Sequence, residues 1–261
     1  MRLRSLVSRF LDVSSQWTSS YGWEPNRARV MFGESQKADM RRLILPSDWV
    51  IDIGANTGQT VSTLLELQPS LEVVAFEPAP KAFEVLERTF GGDPRVRLFN
   101  LAVGPPGGGA LHITRESEGS SLLVPTSGRE EAWLEVIDVK EVESVSLEQV
   151  MELAGGGRAA SDRYGQCALL KIDTQGSDLA VLSSGEKVVS PERVRAVLVE
   201  MLFDSYYEGQ GMAADTINFM MDRGFAPAAM YRPIRALEPK PLGWADMLFL
   251  PRMGRHESGK R

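Results

Sequence analysis

Carboxylates stand where several buried strands of this chain are predicted to end. Asp52 lies in "VIDIGANTGQT" (residues 50–60), Glu77 follows "LEVVAF", Asp173 closes "CALLKID" and Glu200 closes "AVLVE". In an open α/β sheet, ligands bind beyond the carboxyl ends of the strands. A carboxylate in that position accepts hydrogen bonds from ligand hydroxyls, and it can also take a proton from an alcohol or bind a hard divalent cation.

The turn after the first of these strands has the features of a nucleotide-binding loop that lacks one glycine. A dinucleotide fingerprint reads G-x-G-x-x-G. Here Gly54 lets the chain leave the strand tightly, and we expect Gly58 to open the next helix and to let a ligand approach. Asn56 stands where the middle glycine would let the backbone meet a pyrophosphate. Its side chain disfavours a diphosphate and favours a smaller ligand without phosphate.

The next strand end narrows the choice of ligand. Glu77 is placed to accept hydrogen bonds from both hydroxyls of a ribose, and Asp52 would suit an ammonium group. A ribose, no phosphate and an amino-acid tail together describe S-adenosylmethionine. Two alternatives stay open: a structural turn with a solvated Glu77, and a nicotinamide-dependent oxidoreductase, against which Asn56 speaks.

The elements around these residues alternate between strands and helices. This βαβαβ rhythm predicts an α/β fold with parallel strands, right-handed crossovers and helices on both faces of the sheet. A third strand is predicted over "RVRLFNLAVG", and the middle of the chain is less regular. There we predict an antiparallel strand in "GGGALHITR", an edge strand in "WLEVIDVKEVES" and a helix in "SLEQVMELAG" with Ser146 as its N-cap. The rhythm then resumes and ends in a pair of strands, "APAAMYR" and "ADMLFLP".

Composition limits the class of protein. The chain has 261 residues, 43% of them hydrophobic, and a formal net charge of −6, which disfavours a nucleic-acid partner because phosphate binding needs clustered positive charge. No apolar run approaches the roughly 20 residues of a membrane span. The single cysteine, Cys167, cannot form an internal disulfide, so a cytoplasmic location is expected. The oligomeric state stays open, with a homodimer among the alternatives.

Several segments together resemble the FkbM-type family of S-adenosylmethionine-dependent methyltransferases. They are "VIDIGANTGQT", "AFEPAPKAFEVL", "NLAVG", "GSSLL", "LLKIDTQGSDLAVL" and "WADMLFL". The resemblance implies the Rossmann-like class I methyltransferase fold, with seven strands of which the last is antiparallel. It further implies O-methylation of a small molecule such as a sugar or natural product. A protein, lipid or glycan acceptor, or a module that binds S-adenosylmethionine without catalysis, stays as the alternative.

This interpretation divides the chain into three parts. Residues 1–45 are predicted to be an N-terminal helical extension or lid, residues 46–252 the methyltransferase domain, and residues 253–261 a frayed tail.

The resemblance also implies roles for individual residues. Asp52, Gly54 and Asn56 would line the methionine end of the cofactor, and Glu77 would hold its ribose. The remaining cofactor-binding residues would be Gly58, Pro78 at the adenine edge, Asn100 and Ala102 near the adenine, Ser121 in the Ser-Ser loop and Asp173 beside the methyl group. A plain turn residue is the alternative for Asn100, and a flexible hairpin tip is the alternative for the serine loop.

Catalysis is assigned to two of the carboxylates. Asp173 is the first candidate for the general base and Glu200 the second, either alone or as ligands of a Mg²⁺ ion that acidifies the acceptor hydroxyl. The family more often has an acidic residue where Gln175 stands, and this departure puts in doubt any role that needs a carboxylate there.

Overall fold

The computed structural model describes residues 35–126, 132–154, 166–235 and 242–252. Its strands are β1 (Trp49–Ile53), β2 (Glu72–Phe76), β3 (Val96–Phe99), β4 (Ala102–Val103), β5 (Gly109–Thr114), β6 (Val136–Val142), β7 (Ser144–Val145), β8 (Leu169–Ile172), β9 (Val197–Leu202), β10 (Phe225–Arg235) and β11 (Leu242–Pro251). Its helices are α1 (Gln36–Leu43), α2 (Gln59–Leu67), α3 (Pro80–Phe90), α4 (Leu147–Ala154), α5 (Asp178–Ser183) and α6 (Ala213–Asp222), with short 3₁₀ turns at Ser117–Gly119 and Ala132–Leu134.

A seven-stranded sheet in the order β10-β11-β9-β8-β1-β2-β3 forms the centre of the fold. The strands from β9 to β3 are parallel, and β11 runs antiparallel between β9 and β10. This topology confirms the predicted α/β class I fold and its antiparallel last strand. The division of the chain into residues 1–45, 46–252 and 253–261 stays a prediction, because residues 1–34 and 253–261 lie outside the described ranges.

The central strand is buried on both faces because helices cover the sheet from both sides. Successive side chains of a strand point to opposite faces. Trp49, Ile51 and Ile53 therefore join one hydrophobic cluster, which includes residues of α4, α5 and α6. Val50 joins the other cluster, which includes residues of α1, α2 and α3. None of the helices in the described ranges has the length and apolar character that a membrane-spanning segment needs.

The predicted third strand is divided in two in the structure. β3 ends at Phe99, and β4 belongs to a separate two-stranded sheet with β7. Asn100 separates them, and its side-chain amide donates hydrogen bonds to the backbone oxygens of Glu77 and Pro78. The antiparallel strand predicted in "GGGALHITR" is confirmed as β5, which pairs with β6. The Ser146 cap is confirmed as well, because the backbone N–H of Gln149 donates to its Oγ.

Gly58 ends the loop that follows β1 and opens α2 with a φ of 95°. A Cβ at this position would lie 2.4 Å from the ring of Phe90 and 2.8 Å from Leu86. The missing side chain is therefore required for α3 to pack against the start of α2. This contact accounts for the glycine without a ligand, and a role of Gly58 in ligand approach stays a prediction.

We expect Gly58→Ala to lower the free energy of unfolding by about 2–4 kcal/mol, since it combines positive-φ strain with overpacking. Gly209→Ala is the matched control, because Gly209 has a φ of 75° but nothing within 4 Å of an added Cβ. The control should lose only about 1 kcal/mol from strain. Urea unfolding followed by circular dichroism measures both, and equal losses would contradict the packing role.

Candidate functional site

A cavity of about 490 Å³ opens at the carboxyl ends of the central strands. This volume is within the range of roughly 300–1,000 Å³ that is usual for small-molecule sites. Most of the residues predicted to form the site line it. They are Gly54, Asn56, Glu77, Pro78, Ala102, Ser121, Asp173 and Glu200. The fold brings these residues together around one cavity, and their roles toward a ligand stay predictions.

The turn after β1 is shaped by its contact with the neighbouring strand. Gly54 has a φ of 76°, and a Cβ there would lie 1.8 Å from the backbone oxygen of Asp173. The N–H groups of Gly54 and Ala55 both donate to the backbone oxygen of Phe76. Only glycine therefore lets the ends of β1, β2 and β8 meet this closely.

Glu77 is held by the backbone around it. Its Oε2 accepts a hydrogen bond from the N–H of Asn56 at 2.8 Å, and its Oε1 accepts one from the N–H of Ala79 at 2.7 Å. Asn56 adopts a φ of 48°, a left-handed conformation that asparagine tolerates better than most residues. Burial raises the pKa of Glu77 to about 7, although the two backbone hydrogen bonds oppose this. Each oxygen keeps a lone pair for a further donor.

Asp52 does not line the cavity and is fully buried. It pairs in register with Lys171 on the adjacent parallel strand, and their side chains form an ion pair at 3.0 Å. Lys171 Nζ also lies 3.5 Å from Asp173 and donates to the backbone oxygen of Gly54. The expected partner of Asp52 was a ligand's ammonium group, and the structure corrects this: the cation beside it is Lys171.

Burial alone would lower the pKa of Lys171, but the adjacent charges of Asp52 and Asp173 raise it, so this side chain stays charged. Asn100 also lies away from the cavity lining. Its bonds to the backbone after β2 make it the turn residue that was the alternative interpretation.

The serine loop closes one side of the cavity. Ser121 is buried, and its Oγ donates to the backbone oxygen of Gln175 at 2.7 Å. Ser117, in the preceding 3₁₀ turn, donates to the side-chain oxygen of Asn56 at 3.2 Å. The loop thus joins the turn after β1 to the turn after β8, and it is not a free hairpin tip.

Gln175 joins the two candidate catalytic carboxylates. Its Nε2 donates to Asp173 Oδ1 at 2.9 Å and to Glu200 Oε2 at 2.7 Å. The hydroxyl of Tyr207 lies 3.0 Å from Gln175 Oε1 and is positioned to donate to it, which orients the amide. Asp178 supports the turn by accepting hydrogen bonds from the N–H groups of Thr174 and Gly176. An acidic residue at position 175 would instead add a third negative charge between the other two.

Negative charges lie close together around Glu200. Burial raises the pKa of Glu200 well above its usual value, and the negative charges of Asp173, Asp178 and Asp246 add to this effect. Among the described residues, no group of three or more histidine, cysteine, aspartate or glutamate side chains is placed to hold a metal ion. The suggested Mg²⁺ ligands, Asp173 and Glu200, share the Gln175 amide instead, so the structure gives this suggestion no support.

The cavity also contains residues that the motif analysis did not assign. Trp133, Trp244 and Arg232 line it, together with Tyr206, which the sequence shows only as part of an aromatic loop. Trp244 and Asp246 are two residues apart on β11 and therefore share a face of the sheet. The alternation of side chains along this strand was the sequence signal that could have placed Trp244 on the same side of the sheet as Asp246. Nothing in the spacing of Trp133 indicates that it reaches the same cavity.

The comparison with known protein families identifies the class of protein that has this geometry. Residues 52–227 match the methyltransferase FkbM domain. The chain belongs to the FkbM methyltransferase family. This FkbM protein is therefore a methyltransferase, and the alternative of a nicotinamide-dependent oxidoreductase is removed.

Relatives of this FkbM protein include other methyltransferases. The 2-O-methyltransferase NoeI of Sinorhizobium fredii is 25% identical over 174 residues, which are 63% of this chain and 68% of that protein. Methyltransferase sdnD of Sordaria araneosa is 29% identical over 200 residues, which are 69% of this chain and 75% of that protein.

Solved structures with a similar arrangement include the O-methyltransferase NcsB1 from neocarzinostatin biosynthesis, in complex with S-adenosylmethionine and 2-hydroxy-5-methyl naphthoic acid. It is 15% identical and covers 95% of this chain and 58% of its own, with a TM-score of 0.42.

We expect Lys171→Met to destabilise the FkbM protein by about 3–5 kcal/mol, because it leaves the buried carboxylate of Asp52 without a countercharge. The double variant Lys171→Met/Asp52→Asn removes both charges and should regain at least half of that loss. Guanidinium unfolding of the two variants and the wild type gives the comparison. A single variant as stable as the wild type would show that the ion pair does not hold the turn.

Proposed function

We propose that this protein transfers the methyl group of S-adenosylmethionine to a hydroxyl of a small molecule of the sugar or natural-product type. The observation that supports the cofactor best is the buried carboxylate of Glu77 at the end of β2. Its two oxygens are fixed by backbone N–H groups and face the cavity with acceptor capacity to spare. Such a carboxylate is well suited to the paired hydroxyls of a ribose.

The turn after β1 supports a cofactor without phosphate. In a dinucleotide site, backbone N–H groups at this turn approach the pyrophosphate. Here the N–H of Asn56 is already bonded to the Glu77 carboxylate. A phosphate in the same place would find this donor already used and would be repelled by the negative charge of Glu77. A neutral nucleoside would not be repelled in this way.

The protein's own contribution to the chemistry is positioning and proton removal. S-adenosylmethionine supplies a methyl group activated by the positive charge on sulfur. The acceptor oxygen forms the new C–O bond, the C–S bond breaks with its electron pair on sulfur, and the hydroxyl proton passes to a carboxylate of the chain. Alignment of the two reactants can contribute roughly 7–11 kcal/mol to lowering the barrier.

Glu200 and Asp173 are the carboxylates proposed to take that proton. Burial and the neighbouring acids raise the pKa of Glu200, which makes its carboxylate a stronger proton acceptor than an ordinary glutamate. Gln175 holds both carboxylates at hydrogen-bonding distance from one amide. The relative NoeI is a 2-O-methyltransferase, which supports oxygen as the methylated atom.

A protein, lipid or glycan acceptor is the competing proposal. Incubation with methyl-labelled S-adenosylmethionine and a panel of free sugars and alcohols, beside peptides and lipid vesicles, separates the two. Label recovered only in the macromolecular or lipid fraction would overturn the small-molecule acceptor.

The affinity for S-adenosylmethionine should depend on the ionisation of Glu77. Because the carboxyl has a pKa of about 7 and the ionised form accepts from both ribose hydroxyls, affinity should rise about tenfold between pH 6 and pH 8. Glu77→Gln should bind at least about tenfold more weakly at pH 8, and its affinity should show no such rise. Titration calorimetry at three pH values tests this, and a variant with wild-type affinity would remove Glu77 from the ribose site.

Glu200→Gln and Asp173→Asn should reduce turnover by about 10²–10⁴-fold if the replaced carboxylate is the base, and turnover should fall more than cofactor affinity. Glu72→Gln, at the opposite end of β2, is the matched control and should keep full activity. Labelled methyl transfer to the best acceptor of the panel provides the rate. Full activity in both site variants would rule out a carboxylate base at this position.

A further inference from the structure

One end of the cavity is built from aromatic side chains. The ring centroids of Trp133, Tyr206 and Trp244 lie 5.5–5.9 Å from one another, and the ring planes are tilted rather than stacked. All three side chains line the cavity, although they come from a 3₁₀ turn, the loop after β9, and β11. We call them the aromatic wall. Rings brought together from three distant segments form a surface with a large apolar area and few rotatable bonds.

The aromatic wall is far from the end of the cavity that holds Glu77. Glu77 follows β2, and Trp244 is on β11, with β1, β8 and β9 between them in the sheet. Four strand spacings of about 4.8 Å put these positions about 19 Å apart. In S-adenosylmethionine a single methylene joins the ribose to sulfur. With its ribose at Glu77, the reacting methyl group would lie near β1 and β8, and the aromatic wall would lie beyond it.

The carboxylates between the two ends already have partners. Asp173 accepts from Gln175 and lies beside Lys171, and Glu200 accepts from Gln175. Asp246 pairs with Arg232 at 2.5 Å. Arg232 is the only basic side chain among the described residues that line the cavity, whereas the acidic ones are Glu77, Glu116, Glu118, Asp173, Glu200 and Asp246. The excess of negative charge disfavours an anionic ligand, and the existing partners reduce the need for a cationic one.

We propose that the aromatic wall is the acceptor subsite and that it takes an uncharged cyclic alcohol. The apolar face of the ring would lie against the indoles of Trp133 and Trp244, and a hydroxyl would point toward Asp173 and Glu200. Apolar ring faces bury well against aromatic side chains, and the carboxylates supply acceptors for the hydroxyl. This proposal rests on the proposed function, because it assigns the acceptor side of the same reaction.

The test uses three ring probes that differ in one substituent. They are the trans isomers of 4-(hydroxymethyl)cyclohexanol, 4-carboxycyclohexanol and 4-(aminomethyl)cyclohexanol, which are neutral, anionic and cationic at pH 7.5. Each is titrated by calorimetry into protein saturated with S-adenosylhomocysteine. The neutral probe should bind at least about tenfold more tightly than either charged probe, a difference that calorimetry resolves well.

Variants of the aromatic wall complete the test. Trp133→Ala should weaken binding of the neutral probe about tenfold. Trp133→Phe keeps a smaller ring and should retain part of the affinity. It serves as the test variant if the alanine variant does not fold. Phe219→Ala, on α6 and outside the cavity lining, is the control and should not change probe binding. Affinity for S-adenosylhomocysteine should stay within about twofold in all three variants.

Three outcomes would overturn the subsite: no saturable binding of the neutral probe, a charged probe that binds as tightly, or a folded Trp133 variant with unchanged probe affinity. Failure of the wild-type protein to bind S-adenosylhomocysteine would overturn the proposed function itself. The two failures are therefore distinguishable.

Discussion

A single buried cation joins the parts of the candidate site. Lys171 Nζ lies 3.0 Å from Asp52, lies 3.5 Å from Asp173 and donates to the backbone oxygen of Gly54. These groups belong to the ends of two neighbouring strands and to the turn between strand and helix. Buried charges are tolerated best when they are paired, so the positions of these groups depend on one another. The glycine turn and the carboxylate at the cavity are both placed by this contact.

The order of strands in the sheet determines how chemistry is distributed along the cavity. Beyond β2 the cavity is lined by a carboxylate and backbone N–H groups, and beyond β8 and β9 by carboxylates that share an amide donor. Beside β11 the lining is aromatic. Because parallel strands all end at the same edge, residues far apart in the chain contribute to one continuous surface. The antiparallel insertion of β11 beside β9 brings Trp244 and Asp246 to that surface from the end of the chain.

Gln175 shows how a departure from a family pattern can be compatible with function. An acid at this position would add a third negative charge beside Asp173 and Glu200. The amide instead donates to both carboxylates while Tyr207 holds its oxygen. The Asp178 side chain stabilises the turn that gives Gln175 a φ of 53°. The loss of a carboxylate is thus accompanied by a hydrogen-bond network in which every neighbouring acid keeps a partner.

The sequence by itself determined the sheet, the glycine turn and three of the six carboxylates at the cavity. Hydrophobic runs such as Trp49–Ile53 predict buried strands, and parallel strands must end at one edge. Tertiary structure alone decided which residues face the cavity. Asp52 faces Lys171 and Gly58 faces Phe90, and Trp133 meets Trp244 from a distant turn. These contacts join residues that are far apart in the chain, and local periodicity carries no information about which side chain will occupy the space opposite another.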